Sequence, residues 1–475
     1  MSFAAPIFLW YFMPALLLAL WLLPRSARNL VVATFSLVFY AWGGGPYTFL
    51  LLSAIVVNYT AGRVIDHERT RSHPGVRRLV LLVAICWDLG TLGIWKYAGF
   101  ASRQIDALSR ALGLGHTGIV RLALPIGISF FTFHHLSYVV DVYRGSRPAQ
   151  RSPLKFVVYI AMFPQLIAGP IVRYHEIAEQ LDDTRRNRAE DFAAGFPRFA
   201  LGLSKKVMVA DSVAPVADAA FASGGDMTTA TAWLGALAYT MQIYFDFSGY
   251  SDMAIGLGRM LGFRLPENFD RPYSAATITD FWRRWHMSLS RWFRDYVYIP
   301  LGGNRRGRVR TYRNLVTIFV LCGFWHGAAW TFLAWGLYHG MLLVVERVTG
   351  WARVRTGAAL VAQRAVTFVL VVVGWVFFRA PSVTDAFRML GRMFVPTGAG
   401  LPASVTAALS HQRELTFALS LLVVLLPASF VLGKVIEAGR SRGALVARFA
   451  VMAVVPYAGI LVAAGTFSPF LYYQF

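Results

Sequence analysis

Long runs of apolar residues, separated by short polar segments, make up most of this 475-residue chain. An α-helix needs about 20 apolar residues to cross a bilayer core of roughly 30 Å. The runs are longer than the ~10-residue alternating segments of an outer-membrane barrel, so they predict spanning helices. The predicted spans are 5–23, 29–43, 46–61, 79–99, 122–142, 154–172, 192–210, 229–249, 314–345, 364–379, 414–433 and 449–470.

Some of these runs are too irregular or too long for plain helices. Pro and Gly interrupt 123–130 and 163–172, and such backbone is tolerated at membrane depth where protein buries it or where it lines a water-filled cavity. The stretch 314–345 lacks Asp, Glu, Lys and Arg and is too long for one untilted crossing. Its centre, GFWHGAAW, predicts a break or a hairpin whose tip presents His326. We therefore expect an all-α polytopic membrane protein with broken helices, forming one membrane domain over residues 1–475.

Positive charge is concentrated in alternate loops, which predicts the orientation of the chain. The segments 62–78, 143–153 and 264–313 are rich in Arg, as is the stretch around 434–448, so the positive-inside rule makes them cytoplasmic. Arg25 and Arg28 follow the first run, which places the N-terminus outside. The loop 174–191 has more acids than bases and is predicted to be periplasmic. Lys205 and Lys206 are expected to extend to the cytoplasmic face.

Composition supports an integral membrane protein and excludes other classes. The chain is 56% hydrophobic and only 15% charged, with a mean hydropathy of +0.51, whereas soluble proteins carry about 25% charged residues. The net charge of +22 would suggest nucleic acid in a soluble protein. Here the Arg-rich loops account for it, and membrane lipids are the expected partner. The two Cys residues lie in apolar runs, which predicts neither disulfides nor a metal site.

His326 is the strongest candidate for chemistry. It lies roughly 18 Å along a helix axis from Asn314, at about 1.5 Å per residue, which predicts a position near the bilayer midplane. Polar groups at that depth usually face a cavity or pathway, and His exchanges protons near neutral pH. His326 is either a base that accepts a proton from an attacking hydroxyl or a packing residue that bonds a backbone carbonyl. Trp325, beside it, is a candidate supporting residue.

The run 281–296 mixes basic and aromatic residues at near-helical spacing and predicts an amphipathic helix at the membrane interface. In one interpretation it only lies on the lipid surface and His286 is a bystander. In the other, His286 assists His326 and the arginines bind an anionic donor or an acidic carrier. The candidate donor-binding residues are Arg283, Arg284, Arg291 and Arg294, and the apolar stripe is Trp282, Trp285, Leu289, Trp292 and Phe293.

Two further side chains are candidates with open roles. Asp246 needs a partner at membrane depth, and it either orients a histidine or makes structural hydrogen bonds. Cys322, four residues before His326, could form an acyl-thioester, although a buried Cys is more often a small hydrophobe. A metal site would need more ligands at known spacing, so packing is the expected role of the remaining apolar-run histidines, His134, His135 and His339.

These motifs, in this order, resemble the membrane-bound O-acyltransferase family, and within it the bacterial alginate O-acetylase membrane subunits; the teichoic acid D-alanyl transferases are more distant relatives. The resemblance spans nearly the whole chain. The segments that carry it are RNLVVATFSLVFYAW, LPIGISFFTF, LIAGPIVRY, AYTMQIYFDFSGYSDMAIGLG, FWRRWHMSLSRWFRDYVYIPLGGNR, GFWHGAAWTFLAWGLYHG, VVVGWVFFRA and SPFLYYQF.

The resemblance implies a site and a reaction. The family's catalytic histidine, in a tunnel crossing the membrane, falls on His326, and its second position falls on His286, which would polarise the thioester carbonyl or orient the donor. Cys322 is not part of the family pattern. An acetyl thioester, expected to be acetyl-CoA, would react at the bacterial inner membrane without a bound cofactor. Periplasmic acetyltransferase or acetyl-carrier partners would then modify an exopolysaccharide such as alginate or cellulose.

Two other functions fit the sequence pattern. A transporter that moves an acyl group or a small anion shares the broken helices and the deep polar residue. A subunit that only anchors periplasmic enzymes needs no chemistry of its own.

Overall fold

The computed structural model describes residues 2–183, 188–425, 442–465 and 470–471, and these are helical or irregular, without a strand. The all-α membrane fold is therefore confirmed. Residues 426–433 of the predicted span 414–433, residues 434–441 of the basic stretch 434–448 and most of the terminal SPFLYYQF motif lie outside the described residues.

Short helices alternate with long ones in the first part of the chain. A π-helical turn, Phe8–Phe12, leads into α1. The helices are α1 (Met13–Leu22), α2 (Arg28–Gly44), α3 (Tyr47–Asp66), α4 (Glu68–Arg71), α5 (Pro74–Ala111), α6 (Ile128–Arg144), α7 (Pro153–Ala161), α8 (Phe163–Leu166), α9 (Tyr174–Ile177), α10 (Arg188–Ser204), α11 (Asp211–Phe221) and α12 (Thr229–Met260).

The second part of the chain begins with two short helices and continues with longer ones. The helices are α13 (Ile278–Arg284), α14 (Met287–Phe293), α15 (Arg308–His326), α16 (Trp330–Thr349), α17 (Gly357–Arg379), α18 (Val383–Phe394), α19 (Ala403–Ala408), α20 (His411–Leu425) and α21 (Arg442–Ala463).

Residue contacts divide the chain into two compact units. The first unit is Phe3–Phe196 with Ala254–Pro266, and the second is Pro197–Met253 with Glu267–Phe475. Helices α10 and α12 each contribute residues to both units. The single membrane domain over 1–475 stays a prediction.

Within the described ranges, four helices are long and apolar enough to cross a bilayer: α3, α5, α17 and α21. They overlap the predicted spans 46–61, 79–99, 364–379 and 449–470, and these are confirmed as apolar helices, the last of them as far as Ala463. The shorter α2 matches the predicted span 29–43.

The predicted span 154–172 belongs to the first unit but does not form one continuous helix. Helix α7 ends at Ala161, α8 covers one turn, and the chain then continues without helix to Arg173. Residues 158–172 are all buried. A Cβ on Gly169 would lie 2.1 Å from the Pro164 carbonyl oxygen, so the turn requires glycine. The broken backbone is confirmed, and the span is not one continuous helix.

The loop after this segment packs against the basic loops of the first unit. Arg147 pairs with Glu179 at 2.8 Å, and Lys155 pairs with Asp182. Arg28 donates to the Gln180 carbonyl oxygen at 2.9 Å. The described part of 174–191 therefore lies on the same side as 143–153, and its assignment to the opposite side was wrong. Its acidic side chains are the ion-pair partners of the basic loops, so an acidic excess did not indicate another compartment.

The stretch 314–345 forms an antiparallel hairpin of α15 and α16 in the second unit. A Cβ on Gly323 would lie 2.2 Å from the Phe332 carbonyl oxygen, and one on Gly336 would lie 2.2 Å from that of Phe319. These pairings bring the two helices into backbone contact. The predicted hairpin is confirmed, and His326 is the last residue of its first arm.

Lys206 points into the second unit, contrary to the prediction that it extends to the cytoplasmic face. It is 3% exposed, and its ammonium lies 2.8 Å from Asp246 and 2.7 Å from Asp211. Lys205 pairs with Asp252 at 2.6 Å. Carboxylates on α11 and α12 reach both ammonium groups, so ion pairing inside the protein replaces contact with the membrane surface.

Candidate active site

The predicted helix over 281–296 is interrupted at His286. Helix α13 ends at Arg284, α14 begins at Met287, and His286 between them has a left-handed backbone with φ of +46°. Asn268 holds the start of α14: its backbone oxygen accepts from the Met287 amide at 2.9 Å, and its Oδ1 accepts from the Ser288 amide at 3.2 Å. The single amphipathic helix was wrong because a distant residue supplies the cap.

The apolar stripe of this run packs into protein rather than facing lipid. All five of its side chains are 9% exposed or less. Trp285 lies 4.8 Å from Trp375, and Trp282 lies 5.5 Å from Trp335, measured between ring centroids. The lipid-surface interpretation is therefore wrong, and His286 belongs to a packed aromatic core.

His286 is 1% exposed, and its Nδ1 lies 3.1 Å from Asn268 Oδ1. The ring of Phe247 meets it edge-on at 4.7 Å. Burial lowers the pKa of His286 well below its ordinary value, so the ring is neutral at pH 7. Its Nε2 has no hydrogen-bond partner within the described part of the chain, and the ring lines a cavity.

His326 is also buried, at 5% exposure, and aromatic rings surround it. The rings of Trp335 and Phe378 each lie 5.2 Å away. Phe378 is the penultimate residue of α17, about 30 Å along the helix from Gly357 at ~1.5 Å per residue. His326 thus lies beside the last turn of α17, at the tip of the α15–α16 hairpin. Its depth near the bilayer midplane stays a prediction.

Trp325 connects the two histidines. Its ring centroid lies 6.2 Å from that of His286 and 4.7 Å from that of His326. The indole is 5% exposed. Residues 40 positions apart in the sequence therefore pack on one aromatic ring, and the predicted supporting role of Trp325 gains a geometric basis.

A cavity of about 220 Å³ lies between α13–α14 and the hairpin. His286 and Cys322 line it together with apolar side chains that include Leu289 and Phe319. From Leu315 to Cys322 its wall follows α15 for about 10 Å. Three arginines also line it: Arg283, Arg294 and Arg347.

A second, more polar groove of about 450 Å³ shares Arg283 and Arg347 with this cavity. Arg284 and Arg364 add two further guanidinium groups. Arg284 pairs with Asp280 at 2.9 Å, whereas Arg283, Arg347 and Arg364 have no ion-pair partner among the residues described. A basic surface therefore adjoins an apolar cavity that contains a neutral histidine.

The predicted donor-binding arginines divide into two groups. Arg283, Arg284 and Arg294 line one or both cavities. Arg291 lines neither, and its guanidinium lies 3.5 Å from the Glu267 carbonyl oxygen. Arg347 lines both cavities but was not predicted from the sequence, because it follows Glu346 near the end of an apolar helix. The available signal was that α16 runs antiparallel to α15 and therefore ends near the basic start of α15.

Asp246 contacts a lysine rather than a histidine. Besides the ion pair with Lys206, its Oδ2 accepts from the Leu471 amide at 2.8 Å. The alternative in which Asp246 orients a histidine is therefore wrong. Its structural role is to hold α12, the π-helical turn Lys205–Ala210 and the C-terminal segment together.

The remaining histidines occupy packed positions. His339 is fully buried, and its Nδ1 accepts from Trp282 Nε1 at 3.4 Å. His134 Nε2 accepts from the Val172 amide at 3.3 Å. His135 lies 3.9 Å from Asp88. Within the described ranges, no cluster of three or more His, Cys, Asp or Glu is arranged to hold a metal ion.

Comparison with known proteins adds a family match. The profile of the membrane-bound O-acyltransferase family matches residues 128–383, which include both histidines, the cavity and the hairpin. The chain is 47% identical over 398 residues to a probable alginate O-acetylase of Azotobacter vinelandii, covering 83% of this chain and 78% of the relative. It is 36% identical over 434 residues to the peptidoglycan O-acetyltransferase of Helicobacter pylori, covering 84% and 81%. A teichoic acid D-alanyltransferase of Bacillus subtilis is 31% identical over 231 residues, covering 46% and 58%.

Proposed function

The chain belongs to the membrane-bound O-acyltransferase family, and from this we propose that it passes acetyl groups from a cytoplasmic thioester across the bacterial inner membrane for O-acetylation of an exopolysaccharide. The observation that carries the proposal is the cavity whose arginine-lined part leads to His286, with Trp325 joining His286 to His326. The A. vinelandii relative, named a probable alginate O-acetylase, favours an alginate-like glycan.

The two cavities suit the parts of acetyl-CoA. Guanidinium groups bind phosphates through paired, charge-assisted hydrogen bonds, so the groove with Arg283, Arg347 and Arg364 receives the nucleotide phosphates. The smaller, apolar cavity receives the thioester arm, whose reactive end comes to lie near His286. The basic segment 264–313 faces the cytoplasm in this arrangement, where such donors are made.

The two histidines have different roles in the transfer. His326 accepts the proton of the acceptor hydroxyl as its oxygen attacks the thioester carbonyl. The C–O bond forms, the C–S bond breaks, and the departing thiolate takes the proton back from His326. His286 holds the donor beside Trp325. The position of His326 next to the last turn of α17 favours entry of the acceptor from the side opposite the donor.

The acceptor therefore comes from the periplasm. It is either a serine hydroxyl of a periplasmic acetyltransferase or acetyl-carrier partner, or a hydroxyl of the glycan itself. The transporter and anchoring alternatives lose support, because membership of the family makes the chain an acyltransferase.

Replacement of the two histidines tests the assignment. Strains carrying His326→Ala or His286→Ala, with the protein inserted at the wild-type level, are expected to make exopolysaccharide with little or no acetate. The matched control is His116→Ala, because the His116 side chain is 77% exposed. Normal acetylation in the His326→Ala strain would sink the catalytic assignment.

Cys322 reports on donor binding without requiring catalysis. It lines the cavity, whereas Cys86 is exposed, so a Cys86→Ser background leaves Cys322 as the remaining thiol. Acetyl-CoA is expected to slow its alkylation by a small maleimide, and acetyl-pantetheine, which lacks the nucleotide phosphates, to slow it much less. If an acyl-carrier thioester protects Cys322 and acetyl-CoA does not, acetyl-CoA is rejected as the donor.

A further inference from the structure

Asn268 is a fully buried polar residue that connects to His286. It lies in the irregular segment before α13 and is 0% exposed. Its Oδ1 has three neighbours: the Ser288 amide at 3.2 Å, the Ser288 hydroxyl at 2.9 Å and His286 Nδ1 at 3.1 Å. One side-chain oxygen thus contacts both the first turn of α14 and the histidine that precedes it.

These contacts determine which atom of Asn268 faces His286. A backbone N–H can only donate, so the Asn268 atom facing the Ser288 amide must be the oxygen. The same oxygen faces His286 Nδ1. Because an amide oxygen only accepts, Nδ1 must carry the proton, and a neutral imidazole then has a bare lone pair on Nε2.

We propose that Asn268 is a positioning residue that fixes His286 as the Nδ1–H tautomer and so presents an unprotonated Nε2 to the cavity. The inference rests on the proposed function for its catalytic consequence, since His286 matters to transfer only if the cavity receives the donor. His286 then accepts a hydrogen bond from an N–H or O–H of the substrate. It does not polarise the thioester carbonyl, which would need an N–H at Nε2.

The surroundings of His286 support this tautomer. Its Nδ1 contacts Asn268, and His286 also lines the cavity. Nε2 has no hydrogen-bond partner among the described residues, although the ring is 99% buried. The rings packed on it, Phe247 and Trp325, carry no charge. The other titratable groups that line its cavity are Cys322, Tyr298 and the three arginines, and burial keeps the pKa of His286 low.

The tautomer can be read directly by nitrogen NMR. In the full chain labelled with ¹⁵N-histidine in liposomes, the His286 signals are those that disappear in a His286→Gln variant. We expect a protonated Nδ1 and a bare Nε2 in the wild type, and loss of that preference in Asn268→Leu. A wild-type ring protonated at Nε2 overturns the inference. This readout needs no donor, so it leaves the proposed function untouched.

Kinetics separate positioning from folding. With the thioester that supports transfer in the wild type, Asn268→Leu is expected to lower kcat roughly 10- to 100-fold. The matched control is Ser288→Ala, which removes the hydrogen bond from the Ser288 hydroxyl to Asn268 but keeps the hydrogen bond between Asn268 and His286. Wild-type kcat is expected for this variant. Wild-type kcat in Asn268→Leu overturns the inference.

Asn268→Asp adds a pH signature and keeps the acceptor. The carboxylate favours the imidazolium and raises the pKa of His286, so Nε2 gains a proton at a higher pH than in the wild type. Acetyl transfer by Asn268→Asp should match the wild type at high pH. As the pH falls, this transfer should be lost at a higher pH than in the wild type. Transfer that rises on acidification would mean that Nε2 must donate, which overturns the inference. A merely structural role for Asn268 predicts no such shift.

Discussion

The backbone of Gly323 lies so close to the carbonyl oxygen of Phe332 that a Cβ on Gly323 would come within 2.2 Å of it. This contact joins the two arms of the α15–α16 hairpin one turn before His326. It fixes the relative position of Trp325 and His326 at the tip and of Phe332 on the opposite arm. The candidate site thus depends on a backbone approach that only glycine permits.

Gly323→Ala should push the hairpin arms apart. Overpacking of this kind costs about 1–3 kcal/mol, so we expect a lower thermal unfolding midpoint in detergent and a larger loss of acetyl transfer than of inserted protein. The control is Gly391→Ala, since Gly391 lies within α18 with nothing within 4 Å of its added Cβ. That variant should be as stable as the wild type or more so. Equal behaviour of the two variants would contradict the close packing of the hairpin.

The hairpin was predictable, whereas the break at His286 was not. Excess length and a Gly-containing centre are local signals, and they located the tip at His326. The interruption between α13 and α14 depends on Asn268, 18 residues away in the sequence, so helical periodicity over 281–296 gave the wrong answer. The burial of Lys206 was not predicted for the same reason, because its partners Asp211 and Asp246 lie on separate helices. Local patterns specify elements, but distant partners decide where these elements break and which charges enter the protein.

The arginines of the cavity should act on donor binding, and Arg291 should not. Charge-assisted hydrogen bonds contribute about 1.5–3 kcal/mol, so Arg283→Ala and Arg347→Ala are each expected to raise KM for the donor roughly tenfold or more. High salt should diminish the difference from the wild type, since the contacts are electrostatic. Arg291→Ala is the control, because Arg291 lines neither cavity. A rise in KM for Arg291→Ala equal to that for Arg347→Ala would reject the basic groove as the donor site.

Trp325 should be tolerant of another aromatic ring and intolerant of truncation. It packs on both His286 and His326, so Trp325→Phe retains a ring between them, whereas Trp325→Ala leaves a cavity that costs about 3–5 kcal/mol. We expect transfer to fall strongly in Trp325→Ala and mildly in Trp325→Phe, measured per inserted protein. Full transfer by Trp325→Ala would show that the histidines do not need the shared ring.

The buried ion pairs of Lys206 predict an order of stabilities. Lys206→Met removes the cation shared by Asp246 and Asp211, whereas Asp246→Asn leaves Lys206 with Asp211. Breaking a buried pair costs about 3–5 kcal/mol, so Lys206→Met should lower the yield of folded protein more than Asp246→Asn. The double variant Lys206→Met/Asp246→Leu should recover part of the loss. As a surface control, Arg388→Ala breaks an exposed pair with Asp385, and it should cost about 0–1 kcal/mol. Should the double variant be less stable than Lys206→Met alone, the ion pair would not be the cause.

The ion pairs between 143–153 and 174–191 predict a membrane topology that loop charge alone does not. Arg147 contacts Glu179, so both loops must lie on one side of the bilayer. With native thiols removed, Ser146→Cys and Glu179→Cys should react with an impermeant maleimide from the same side, the cytoplasmic one. Pro46→Cys, in the exposed turn between α2 and α3, should react from the opposite side and serves as the control. Labelling of Glu179→Cys from the side that labels Pro46→Cys would mean that 154–172 crosses the membrane after all, because the loop can reach that face only if the segment before it spans the bilayer.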